Sequence, residues 1–153
     1  NSVTIRAGGG YRLFSDTNAT TGVRLASGSG SWTSMCDRNA KENFVPVDVG
    51  TVLAKVLALP LATWNYKSQD PNIRHLGPTA QDFKAAFGLG ESDTGISAVD
   101  ADGVALAAIQ GLNQKLEDRA QKLETENAAL KRELAELKAL VQSLAATVNG
   151  GGQ

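Results

Sequence analysis

The chain has 153 residues, a formal net charge of −1, 20% charged residues and 5% aromatics. A balance this close to neutral supplies no field for nucleic acid or an anionic membrane, and so few aromatics make a poor base-stacking surface. No apolar run nears the roughly 18 residues that a membrane span needs, so neither a nucleic-acid nor a membrane partner is expected.

One cysteine excludes an intrachain disulfide, and one histidine excludes a His-rich metal site. No metal-ligand spacing or phosphate-binding loop is found, so no metal or cofactor is expected. The chain lacks an initiator Met and a signal-peptide pattern and reads as the C-terminal piece of a longer protein. Its globular content is thin for its length, which suggests a core completed by oligomerisation.

Residues 1–35 alternate apolar and polar positions in short runs: Val3 to Arg6, Tyr11 to Phe14 and Gly22 to Leu25. Gly8–Gly10, Asp16–Asn18 and Gly28–Gly30 punctuate them, the pattern of short strands with tight turns. Such strands bury little individually, so the segment is expected to be the end of a β-rich fibre stem rather than a flexible linker.

Between residues 36 and 102 the pattern changes to mixed α/β. Asp48 can cap a helix through Val52, Leu53, Val56 and Leu57, which Pro60 ends. Leu61 to Lys67 reads as a strand with Ala62, Trp64 and Tyr66 on one face, followed by a turn at Gln69–Asn72 and a second short strand at Ile73–Gly77. Pro78 and Thr79 start a helix from Ala80 to Phe87, with Gly88 and Gly90 after it, and Ile96 to Val99 is read as an edge strand.

The last element, 103–149, with Asp102 as its cap, carries the clearest periodicity. Ile109, Leu116, Leu123, Leu130, Leu137 and Leu144 recur every seven residues. With these at d, a is Leu106, Asn113, Ala120, Asn127, Leu134, Val141 and Val148, the heptad seam of a coiled coil. Arg119 with Glu124, Glu126 with Lys131 and Glu133 with Lys138 are opposite-sign pairs from g to the following e, which fits parallel chains in register. Leu at d with Asn at a leans by itself towards a dimer. Residues 150–153 are expected to form a disordered tail.

The only chemistry the residues suggest is Cys36 with Lys41, a nucleophile beside a lysine base. On an α-helix a five-residue offset leaves two side chains roughly 140° apart. They can meet only across a turn or extended segment, or between subunits. The alternative is that a lone cysteine is a small packed hydrophobe.

The run Cys36-Asp37-Arg38-Asn39-Ala40-Lys41-Glu42-Asn43-Phe44 resembles the Ser-Asp-x-Arg-x-Lys-x-Asn-(apolar) start of the intramolecular chaperone auto-processing domain of endosialidase-type phage tailspikes. The likeness continues through Leu59-Pro60, Thr63 to Lys67, Arg74-His75-Leu76-Gly77-Pro78-Thr79-Ala80-Gln81-Asp82-Phe83, Val99-Asp100 and Ala108-Ile109-Gln110. It spans about residues 31 to 145.

The resemblance implies an α+β homotrimer: a β-strand stem end, a small mixed α/β clasp and a long C-terminal helix in a parallel trimeric coiled coil. Its function would be to fold the upstream fibre segment of the same chain, in a phage or prophage tail fibre assembled in the host cytoplasm. One self-cleavage would then fall between Met35 and Cys36, with Cys36 as nucleophile and Lys41 as base. Asp37, Arg38, Asn43 and His75 match supporting positions. The departure is Cys36, where the family has serine. Paired thiol and amine groups favour thiolate and ammonium, whereas serine needs a neutral amine, so cleavage is expected to be slowed or lost. The alternatives are a permanent trimerisation tip of a fibre or adhesin and, from another class, a peptidase acting on other proteins.

Overall fold

The computed structural model describes residues 2–150 and is α+β, with two small antiparallel sheets and a long C-terminal helix. It forms two compact units, residues 1–47 and 48–153. The expected border at 35/36 therefore lies inside the first unit.

In the first unit, β1 (Tyr11–Phe14), β2 (Gly22–Leu25) and β3 (Thr33–Ser34) form an antiparallel sheet in the order β1-β2-β3. Two of the three expected strands are present, whereas Val3–Arg6 is not in a strand. Register is set by Tyr11 opposite Leu25 and Val23 opposite Ser34. Asp16 organises the β1–β2 loop, accepting from the backbone N–H of Thr20 and Thr21 and from the Thr20 hydroxyl. Gly22 is obligatory: φ is 154°, and a Cβ would lie 2.0 Å from the Leu13 carbonyl oxygen. None of the described side chains in this unit is buried, and Trp32 and Phe44 are more than half exposed.

The second unit starts with α1 (Val49–Ala58), capped as expected by Asp48, whose Oδ1 accepts from the N–H of Gly50 and Thr51. Hydrogen bonds from Thr51, side chain first, hold the Asp48 carboxyl below the usual carboxylate range. A two-stranded antiparallel sheet follows, β4 (Ala62–Trp64) with β5 (His75–Gly77), shorter than the apolar alternation predicted. α2 (Ala80–Phe87) has the predicted bounds: Thr79 and Asp82 cap it reciprocally, and Gly88 ends it in the left-handed region.

α3 (Ala98–Gly150) is 53 residues long, about 80 Å at 1.5 Å per residue. It begins before the expected Asp102 cap and absorbs Ala98 and Val99 of the expected edge strand, because Ser97 supplies the carbonyl that accepts from Asp100 and Ala101. Gly150, placed by sequence in the tail, is its last residue, while residues 151–153 and the side chain of Val148 lie outside the description. No helix among the described residues is long and apolar enough to cross a membrane.

The core is small. Leu53 of α1, Phe83 of α2 and Val104 and Ala108 of α3 are the buried hydrophobic side chains among the described residues. α1 crosses α3 at Gly111, where a Cβ would stand 2.3 Å from the Val49 carbonyl oxygen and 3.1 Å from Leu53 Cβ. A methyl there must push the helices apart and pull Leu53 out of the core. Gly111→Ala should therefore cost about 1–3 kcal/mol of stability. Gly103→Ala, in the same helix with nothing within 4 Å of its Cβ, should gain about 0.5–1 kcal/mol. Thermal melts followed by helical circular dichroism, at one protein concentration, measure both.

Candidate functional site

Residues 35–41 leave the first unit's sheet through one turn of chain. β3 ends at Ser34, and the N–H of Met35 still donates to the Gly22 carbonyl at 2.9 Å. Asp37 then turns the backbone: its Oδ1 accepts from the Asn39 N–H at 2.9 Å and from Asn39 Nδ2 at 3.1 Å. This caps a single 3-10 turn, Arg38–Ala40, after which Lys41 is extended again.

Cys36 and Lys41 bracket that turn, and Lys41 Nζ donates to Cys36 Sγ at 2.8 Å. The two meet within one chain because the intervening residues are in neither an α-helix nor a straight strand, the first of the arrangements that the spacing allows. Cys36 is exposed rather than packed as a small hydrophobe.

The other motif residues hold the turn. Asn43 has φ 56°, a left-handed conformation that Asn tolerates better than most residues. That reversal lets the Phe44 ring come back under the Arg38 guanidinium, 5.1 Å from the ring centroid. A cation over a ring at this distance contributes about 0.5–1 kcal/mol at an exposed site. Asp37, Arg38 and Asn43 thus shape the backbone around the pair.

His75 belongs to the second unit. Its ring packs on Trp64 at 4.8 Å and Tyr66 at 5.4 Å, and its Nε2 pairs with Gln69 Oε1 at 2.9 Å. Arg74 beside it ties the hairpin, donating to the Thr63 carbonyl at 2.7 Å and to Asn65 Oδ1 at 3.1 Å. Both are hairpin residues here.

Met35, Cys36 and Asp37 line an open cleft of about 760 Å³ with Arg12, Arg24 and the β1–β2 loop residues Asn18, Ala19 and Thr20. Sequence reasoning missed the two arginines. Each sits in an ordinary alternating strand, and only the register, which sets Arg12 opposite Arg24, reveals a like-charge pair on the cleft wall. Phe44 was visible as the motif's apolar position, but its partner was not.

The heptad residues Ile109, Leu116, Leu123, Leu130, Leu137 and Leu144 are 48–64% exposed along α3. Asn113 and Asn127 bond within their own helix, to Glu117 Oε1 and the Leu123 carbonyl. Glu126, expected to pair with Lys131, lies 3.8 Å from Lys122 one turn earlier.

The arrangement is an exposed Cys–Lys pair held by a capped 3-10 turn at the edge of a small sheet. Residues 36–88 match the family model described as chaperone of endosialidase. The similarity covers that segment, about a third of the chain. No curated protein and no solved structure gives a significant match.

Two outcomes test the local geometry. Asn43→Val puts a β-branched residue in the left-handed region at a cost of about 1–2 kcal/mol. Amide exchange around residues 38–44 should rise, whereas Asn43→Gly leaves it unchanged. The Asp16 carboxyl is held down to about 2, first by the Thr21 N–H and then by the Thr20 hydroxyl. Its folded-state value is depressed, so its contribution is complete above the unfolded value near 4 and is lost as pH falls towards about 2. The Thr20 and Thr21 amide resonances should shift across that window, and Asp16→Asn should abolish the shift.

Proposed function

We propose that this chain is the C-terminal intramolecular chaperone of a phage-type tail fibre or tailspike, which trimerises through α3 and thereby folds the β-rich stem preceding residue 36. The observation that carries the reading is the match of residues 36–88 to the endosialidase chaperone family, joined to the exposed heptad residues along α3. Leu112 and Leu140, both at g, are exposed beside the a and d residues. They widen the stripe beyond a two-position seam and favour three strands over the two that Leu at d and Asn at a suggest. In such a trimer the pairs Arg119–Glu124, Glu126–Lys131 and Glu133–Lys138 lie between chains. As exposed pairs they add about 0.3–0.5 kcal/mol each and select parallel register more than they hold it.

The physical role is entropic. Stem strands that bury little alone gain most of their contact energy only when three chains are in register. A preformed coiled coil supplies the effective concentration that brings them together. Self-cleavage between Met35 and Cys36, with Lys41 as proton carrier, belongs to the same reading and is impeded by sulfur at the nucleophile. The sulfur also favours a second reading, in which the clasp stays attached as the permanent trimerisation tip of the fibre.

Leu123→Asp at a d position should convert a sedimenting trimer to monomer and leave residues 1–35 without protection from protease. A trimeric, protected stem in that variant overturns the chaperone role. Cys36→Ser should yield two bands on a denaturing gel, starting at Asn1 and at Ser of position 36. Full-length chain alone, in a folded trimer, supports the permanent tip.

A further inference from the structure

In an antiparallel sheet, directly opposed residues share a face, as do side chains two apart along one strand. Arg12 lies opposite Arg24, and Arg24 opposite Thr33. Arg12 and Phe14 of β1, Arg24 of β2 and Thr33 of β3 therefore project from one face of the first unit's sheet. Tyr11, Leu13, Val23 and Leu25 take the other face. Like charges set directly opposite each other destabilise a sheet. Neither arginine takes part in an ion pair among the described residues.

The two guanidiniums border the open cleft of about 760 Å³, a volume within the range of small-molecule sites. Asp37 is the one carboxylate on its lining, and it already accepts from the Asn39 N–H and from Asn39 Nδ2. The carboxylate of the β1–β2 loop, Asp16, is taken up by Thr20 and Thr21. Those bonds also fix the rim, where Asn18 and Thr20 line the cleft and Ala19 between them is held at φ 54°. The cleft is thus left with two cations and no free acid among its lining residues.

We propose that Arg12 and Arg24 form a phosphate-binding site, in which one phosphate dianion bridges the two guanidiniums. An arginine fork offers two parallel N–H donors to one pair of oxygens. A carboxylate presents a single such edge. A tetrahedral phosphate presents several and carries more charge, so it suits two forks at once. Bound between them, it replaces repulsion with charge-assisted hydrogen bonds on both sides. The cleft is larger than one phosphate needs. Asn18 and Thr20 suit hydroxyl groups and the Phe14 ring suits a carbon face, so both free phosphate and a phosphorylated sugar carry the required group.

The test is calorimetric titration of the full chain at mildly alkaline pH, with ionic strength held constant by sodium chloride. Inorganic phosphate should bind saturably, at one site per chain. Tighter binding of glucose 1-phosphate assigns the source to an ester, and equal or weaker binding assigns it to free phosphate. Either result supports the site. Glucuronate, which brings a carboxylate, should bind about tenfold or more weakly than glucose 1-phosphate. Arg12→Gln and Arg24→Gln should each lower phosphate affinity by about 10- to 100-fold. Each should also raise the thermal midpoint of the unliganded protein, because the like-charge pair is gone. Arg24→Lys keeps the charge without the fork and should recover only part of the affinity. Lys67→Gln, which removes a cation from the second unit, should change neither reading. Unaltered phosphate binding in Arg12→Gln and Arg24→Gln overturns the proposal. So does glucuronate binding as tightly as glucose 1-phosphate, or a parent chain with no saturable phosphate signal.

Discussion

The constraint on which this molecule depends is a small core beside a long helix whose apolar residues it does not cover. Leu53, Phe83, Val104 and Ala108 are buried, while Leu116, Leu130, Leu137 and Leu144 along α3 are each more than half exposed. At about 25 cal/mol per Å² of apolar area removed from water, a stripe of this length holds far more potential stabilisation than the four-residue core. The geometry of the second unit follows from it. α1 packs on α3 at Gly111 at close range, which secures α1 near the start of the long helix.

The first unit answers the same shortage differently. Its sheet is held by backbone pairing, by the Asp16 loop and by the Asp37 turn, with no buried side chain among those described. Specific hydrogen bonds fix where its atoms are without supplying much net free energy, about 0.5–1.5 kcal/mol each. The unit is therefore well defined in geometry and poorly provided with cohesion.

Much of this was legible from residue pattern. The bounds of α2 could be read because Thr79, Asp82 and Gly88 are local signals acting on the next few residues. The start of α1 followed from Asp48 for the same reason. The edge strand expected at Ile96–Val99 failed because β-branched residues carry little information beside a better signal, here the Ser97 carbonyl that starts α3. The Cys36–Lys41 pair was visible as spacing but ambiguous as geometry. Five residues span many distances, and only the Asp37 cap with the 3-10 turn makes the distance short. The cross-strand arginines, the close crossing at Gly111 and the Arg38–Phe44 contact were out of reach, because each depends on register or on chain reversal rather than on composition.

The hydrogen bond from Met35 to Gly22 has a mechanical meaning. It is the last rung of a ladder, and the chain beyond it hangs from a single turn. Asp37 and its 3-10 turn follow directly, so the backbone passes from sheet pairing to a side-chain cap with no loop between them, and the position of the turn is inherited from the edge of the sheet.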